Sequence, residues 1–285
     1  MKNLSFLVLF IIVVVALNPV LGAENTRAAK GKLFIIGGGE RTDELINRLI
    51  TEANLREKGY IIILPMASEE PDSAIIWSAG QFTRNGVTRI VGFNLPAGKP
   101  VPQSKIDSLE NAALIYISGG DQLRFMKTIT GTPIFTAIHK AYQNGSVIAG
   151  TSAGAAVMSS KMITGNERRY PEYHETFRHI ESENIEFDNG LGLLMDAVID
   201  QHFVFRSRQN RLLTAIIENP DLPGIGIDES TAILVVGNKA EVVGESQVLV
   251  FRNKKNSRNI SGIKLGARNL KIDIYLPGEK FRIKN

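Results

Sequence analysis

Short apolar runs recur along the first half of the chain, each bounded by glycine, proline or polar residues. Lys32-Leu33-Phe34-Ile35-Ile36, Tyr60-Ile61-Ile62-Ile63-Leu64, Arg89-Ile90-Val91-Gly92-Phe93, Ala112-Ala113-Leu114-Ile115-Tyr116-Ile117 and Ser146-Val147-Ile148-Ala149 read as strands buried on both faces. Between them the period changes. Residues 43–57 carry Leu45, Ile46, Leu49, Ile50 and Ala53 at helical spacing, with Gly59 as the stop. A second amphipathic segment runs from about 72 to 85, and a third helix, 133–143, stops at Asn144-Gly145. Strands alternating with helices predict an α/β fold around a parallel sheet covered on both faces. Residues 161–190 are polar and irregular and read as a flap over the site. The sheet is expected to resume at Ala197-Val198-Ile199-Asp200, followed by a helix from about 208 to 218 capped by Ser207. Gly224–Asp228 and Ala232–Val236 read as a strand pair. Residues 240–251 and 270–283 alternate or are β-branched, which predicts antiparallel edge strands on a mostly parallel sheet.

The first 22 residues have the layout of an export signal: Lys2, an apolar stretch from Phe6 to Leu17, then Pro19-Val20-Leu21-Gly22-Ala23 as a cleavage zone. A secreted or periplasmic protein without stable membrane insertion is the expectation. Roughly 260 residues then remain, enough for one domain over 31–285. Cysteine is absent, so a disulfide framework is excluded. With 33 basic and 29 acidic residues and a net charge of +4, the surface is mixed and carries no nucleic-acid footprint. The basic stretch 252–258 reads as a solvated loop.

Chemistry concentrates at strand ends. Gly150-Thr151-Ser152-Ala153-Gly154 is a G-x-S-x-G pattern between a strand and a helix, the setting of a nucleophile elbow. Its glycines allow strand and helix to approach closely, and the helix N-terminus offers free N–H groups. A serine hydroxyl needs a base. Of the four histidines, His202 ends a strand on the same rim as Ser152, with His174 in the long loop as the rival. Glu229, at another strand end, and Glu167, in the loop, are alternative orienting acids, and rigidity favours Glu229. Ala153 supplies one oxyanion donor, and Gly119 or Gly120 the second. Arg206, Arg208 and Arg211 follow the base closely and suit carboxylate recognition, while Asp200 and Gln201 could hold a cationic or amide group.

Gly37-Gly38-Gly39 is reminiscent of a dinucleotide loop, but Thr42 stands where the third glycine belongs and no phosphate-loop Lys follows. His174 and His179 match no zinc spacing. No cofactor or metal is expected.

The motifs Gly37–Glu40, Gly119-Gly120-Asp121-Gln122, Gly150–Ala155, Asp200-Gln201-His202-Phe203 with the three arginines, and Gly224–Glu229 occur in an order that resembles cyanophycinases. These belong to the serine peptidase family that also holds α-aspartyl dipeptidases. The resemblance covers most of 31–250. It implies a three-layer sandwich like that of class I glutamine amidotransferases, with serine in place of their cysteine. It implies Ser152 as nucleophile, His202 as base and Glu229 as acid, and a pocket lined by Gln122, Asp200, Gln201, Arg206, Arg208 and Arg211. The implied substrate is cyanophycin, a polyaspartate with arginine on each β-carboxyl, released as β-Asp-Arg dipeptides. A homodimer is a further implication. The export signal suits an enzyme feeding on polymer released by other cells, or one with a different extracellular peptide substrate.

Overall fold

Each central strand divides its side chains between two apolar layers, as the two-residue period of a sheet requires. Leu33 and Ile35 enter one cluster, and Phe34 and Ile36 the other. A computed structural model describes residues 29–57, 59–95 and 98–284 of the chain. The segment read as an export signal therefore lies outside the described residues. No described helix is long and apolar enough to cross a membrane.

The first half alternates as expected. It contains β1 (Lys32–Ile36), α1 (Asp43–Glu52), β2 (Ile61–Leu64), α2 (Pro71–Arg84), β3 (Ile90–Gly92) and α3 (Gln103–Glu110). There follow β4 (Leu114–Ile117), α4 (Gln122–Ile129), α5 (Pro133–Asn144), β5 (Val147–Thr151) and the short α6 (Ala153–Ala156). The second half has β6 (Lys161–Glu167), β7 (Ile185–Asn189), β8 (Val198–Gln201), α7 (Gln209–Glu218), β9 (Gly224–Ile227) and β10 (Thr231–Val236). It ends with β11 (Lys239–Gly244), β12 (Val248–Arg252), β13 (Asn259–Ser261), β14 (Lys264–Gly266), β15 (Lys271–Tyr275) and β16 (Lys280–Arg282).

Local chemistry sets the helix ends. Thr42 caps α1, its hydroxyl accepting from the Leu45 N–H at 3.3 Å. Proline opens α2 and α5, and Gly145 closes α5 in the left-handed region at φ 119°. α1 is shorter than its periodicity predicts. It stops at Glu52, and Asn54 turns at φ 52° before the chain reaches β2.

Eight strands form the main sheet in the order β16-β11-β10-β1-β5-β4-β2-β3. The half from β1 to β3 is parallel, and β10, β11 and β16 extend it antiparallel. One face packs on α1 and α2 through Leu45, Leu49, Ile50 and Phe82. The other packs on α3 to α5 and on a second sheet, giving the three-layer α/β sandwich. That second sheet, β15-β12-β9-β8, is where the pattern-based reading is corrected. β8 does not resume the main sheet but pairs in parallel with β9, and β9 pairs with β12 rather than β10. The motif of alternating glycines explains the split: a Cβ on Gly226 would stand 2.4 Å from the Phe203 ring, and one on Gly224 2.7 Å from Leu212. β9 is thus built to lie under the segment that follows β8 rather than flush with β10. Two further corrections concern the loop and the last helix. Residues 161–190 are not structureless, since β6 and β7 pair as an antiparallel hairpin. Ser207 does not cap α7: it sits at φ 50°, and Arg208 occupies the cap position without a side-chain bond.

Gly226→Ala is expected to lower the unfolding free energy by about 1–3 kcal/mol, because the added methyl meets a buried ring in a close-packed core. A denaturant midpoint that falls with unchanged slope checks this.

Candidate active site

Three successive carbonyls at the end of β1 each receive an N–H from a different part of the chain. Ile36 accepts from Ser152 at 3.1 Å, Gly37 from His202 at 2.8 Å, and Gly38 from Ser230 at 3.0 Å. The glycines of this turn are needed for approach. A Cβ on Gly38 would lie 2.2 Å from the His202 ring, and one on Gly39 2.6 Å from Glu229 Cβ. Their positive φ values, 120° and 68°, add a backbone reason. The Gly37–Gly39 motif, which sequence reasoning set aside as an incomplete nucleotide loop, is the floor under the histidine and the acid.

Ser152 sits at φ 54° and ψ −111°, a conformation that costs about 1–3 kcal/mol for a residue with a side chain. Close contact enforces it: a Cβ on Gly150 would be 2.2 Å from the Gly154 carbonyl oxygen, and one on Gly154 2.3 Å from that of Ile117. Although Ser152 stands at the cap of α6, its hydroxyl makes no capping bond. It lies 2.8 Å from His202 Nε2 instead. His202 Nδ1 lies 2.5 Å from Glu229 Oε1. Asp228, one residue before Glu229, fixes the turn behind the histidine. One of its oxygens accepts from the Val204 and Phe205 N–H groups at 3.0 and 2.9 Å, and the other from the Ser246 hydroxyl at 2.7 Å. Burial pushes the His202 pKa below the ordinary histidine value. The Glu229 hydrogen bond opposes that shift, and the Arg206 and Arg208 charges add to it.

The alternative partners go elsewhere. Glu167 ends β6 in the flap, where it binds His179 Nδ1 at 2.9 Å and accepts from Asn184 at 2.7 Å. It makes no bond to His202, so the structure corrects its place as an alternative acid. Tyr170 stacks on His179 with ring centres 3.9 Å apart. His174 is exposed, and His139 meets the Leu191 carbonyl at 2.8 Å. The flap is tied to the C-terminal hairpin β13–β14. Ser182 N–H donates to Ile263, Leu265 N–H donates to Ile180, and Lys264 pairs with the buried Glu181 carboxylate at 2.7 Å.

Ala153 opens α6, so its N–H has no intrahelical acceptor. Gly119 and Gly120 occupy the turn between β4 and α4, and neither N–H has a protein acceptor among the described residues. A Cβ on Gly119 would stand 3.4 Å from Ser152 Cβ, so this turn faces the serine. Asp121 caps α4, accepting from Leu123 and Arg124 at 2.7 and 3.2 Å.

A cavity of about 460 Å³ opens on one side of Ser152, lined by Gln122, Gln201, Arg206, Arg208, Arg211 and Tyr173 among others. Asp200 is corrected here. Its carboxylate is fully buried and gripped by Arg211 through both oxygens, so it is not free for a substrate cation. Gln201 Oε1 accepts from Arg208 and Arg211. Gln122 donates to the carbonyls of Ile163 and Thr164, which pins the flap hairpin. Burial and the neighbouring Arg211 charge lower the Arg208 pKa to about 10, which leaves it cationic at neutral pH. Tyr173, from the flap, receives a hydrogen bond from Arg208 at 3.3 Å. No motif marked Tyr173, because it reaches the cavity from an irregular loop.

Relatives share this sequence over most of its length. A cyanophycinase from Nostoc sp. is 31% identical over 272 residues, covering 90% of this chain and 87% of the relative. One from Geminocystis herdmanii is 33% identical over 269 residues, covering 90% and 94%. A peptidase E from Actinobacillus pleuropneumoniae is 28% identical over 158 residues, covering 52% and 61%. In fold, the chain is similar to a peptidase from an acI-B1 Actinobacterium, with a TM-score of 0.64 and 23% identity over 89% of this chain and 97% of that one. Residues 33–243 match the model described as "Peptidase family S51". With residues 33–243 matched and relatives at this identity over 90% of its length, the chain belongs to peptidase family S51 and is a cyanophycinase-like, serine-type peptidase.

Proposed function

We propose that this protein is an exported exopeptidase that hydrolyses cyanophycin to β-Asp-Arg dipeptides through an acyl-enzyme on Ser152. The observation that carries the reading is the line from Ser152 Oγ through His202 to Glu229, at 2.8 and 2.5 Å, beside a cavity lined by three arginines. Glu229 accepts the Nδ1–H of His202, which leaves the Nε2 lone pair facing the serine hydroxyl. His202 takes the hydroxyl proton as Ser152 Oγ attacks the carbonyl carbon of a backbone aspartyl residue. The N–H groups of Ala153 and of Gly119 or Gly120 receive the oxyanion. His202 then protonates the leaving amine, and a water molecule, deprotonated by the same imidazole, releases the acyl group.

The cavity chemistry supports an acidic, branched substrate. Arg206, Arg208 and Arg211 offer guanidinium groups against two carboxylates, Asp200 beside Arg208 and Arg211 and the exposed Glu175 at 3.7 Å from Arg206, so the site keeps excess positive charge for aspartyl carboxylates. Relatives named cyanophycinase align over 90% of the chain, those named peptidase E over about half. That difference favours the polymer over small acidic peptides, which are the second reading. The retained serine–histidine pair weighs against a non-catalytic peptide binder. The N-terminal pattern of Lys2 and Phe6–Leu17 supports export, which lets the enzyme meet polymer outside the cell.

The mature protein is expected to clear insoluble cyanophycin and release β-Asp-Arg, and Ser152→Ala to lower kcat by about 10⁴-fold or more. Dipeptide release that survives this substitution would overturn the mechanism. Glu229→Gln is expected to lower kcat by about 10²–10⁴-fold, while Glu167→Gln leaves it within a few-fold. The reverse ranking would reassign the acid.

The base works only when neutral, so kcat/KM is expected to rise with pH through a limb that lies below the ordinary histidine value. Glu229 holds the imidazolium by its hydrogen bond, so Glu229→Gln should move that limb further toward acid. A pH–rate profile of both proteins checks the direction.

A further inference from the structure

Ser152 and Arg206 also border a second cavity, of about 350 Å³, on the side away from the flap. Gly38, Gly119, His202, Arg41 and Trp77 contribute to its walls. Arg41 and Trp77 belong in turn to a third cleft of about 690 Å³, which Glu40, Asp43, Glu44 and Arg84 line. The three spaces therefore share walls in series, with the serine at the first junction and Trp77 at the second.

Trp77 is 77% exposed and its neighbour Ile76 71% exposed, on the solvent side of α2, whose Phe82 and Gln81 are buried. The indole belongs to neither apolar layer. Arg41 is held beside it by the Gln81 side chain at 3.0 Å and by the Gly39 carbonyl at 2.7 Å, the glycine that lies under Glu229. Among the described residues Glu40, Glu44 and Arg84 form no ion pair, so the cleft presents charges of both signs that no internal partner neutralises.

We infer that the cleft from Ser152 past Trp77 to Arg84 holds the continuing chain of a zwitterionic peptide polymer, while the terminal dipeptide unit occupies the cavity under the flap. An exposed indole face attracts guanidinium groups, Glu40 and Glu44 pair with further guanidiniums, and Arg41 and Arg84 pair with carboxylates. This rests on the peptidase reading above and adds a polymer-binding track to it.

Trp77 is the single tryptophan of the chain, so its fluorescence reports on this cleft alone. Ser152→Ala protein is titrated with soluble arginyl-aspartate oligomers of increasing length. Trp77 emission is expected to shift and saturate with oligomers of three or more units and to stay unchanged with the free β-Asp-Arg dipeptide. In active protein, Trp77→Ala is expected to lower kcat/KM for a long oligomer, relative to a two-unit substrate, by about three- to tenfold through KM, with Trp77→Phe intermediate. Silent fluorescence with an unchanged ratio, while wild-type protein cleaves the oligomers, overturns the track and leaves the peptidase reading standing. An equal shift with the dipeptide overturns it as well. So does an emission shift that follows protein concentration without ligand, which would place a second copy of the chain on this face. Wild-type protein that cleaves none of the oligomers removes the peptidase reading, and the track with it.

Discussion

Ile36, Gly37 and Gly38 present their carbonyls in succession at the end of β1, and each fixes one of the segments carrying Ser152, His202 and Glu229. These segments arrive from β5, β8 and β9, which belong to two different sheets. No single sheet could set the 2.8 and 2.5 Å separations of the site, because the register between sheets depends on side-chain packing rather than on backbone bonds. The turn after β1 supplies backbone bonds across that gap. Its glycines let the imidazole and the carboxylate settle directly on the main chain, where any side chain would collide. The strain at Ser152 is sustained by the same bonding, since its N–H is tied to Ile36 before α6 begins.

Charge is arranged around this point with equal economy. Asp200, Arg211, Gln201 and Arg208 form one buried network, and removing a single partner would leave an uncompensated ion. Burial and the charges of Arg206 and Arg208 disfavour the imidazolium of His202, and the Glu229 hydrogen bond counters them. Asp228 bonds the turn that leads from His202 to Arg206 and Arg208, so the histidine and two of the arginines are held by one carboxylate.

The sequence announced elements whose chemistry is local. The apolar runs of β1, β2, β4 and β5 and the elbow glycines all have causes within a few residues. Ser152, His202 and Glu229 were readable because each ends a strand, and strand ends of this fold class lie on one rim. The second sheet was not readable. β9 and β10 are both apolar, and what separates them is the space Phe203 takes over Gly226, a contact across 23 positions of sequence. Asp200 looked free for the same reason: its neutralising arginine lies in the first turn of α7, and only burial shows that the pair is closed. Tyr173 and the pairing of Glu167 with His179 depend on how the flap folds back, which no periodicity records.

That flap has its own suspension. Its return strand begins just after Ile180 to Ser182, which hang on Ile263 to Leu265 through backbone bonds and the Glu181–Lys264 pair. The support lies past residue 243, where the family match ends, while the cavity it roofs lies inside the match. Ser152, His202 and Glu229 and the roof of their cavity are therefore anchored in different parts of the chain. A lengthened or shortened C-terminal hairpin would change which side chains reach the cavity and leave Ser152, His202 and Glu229 where they are.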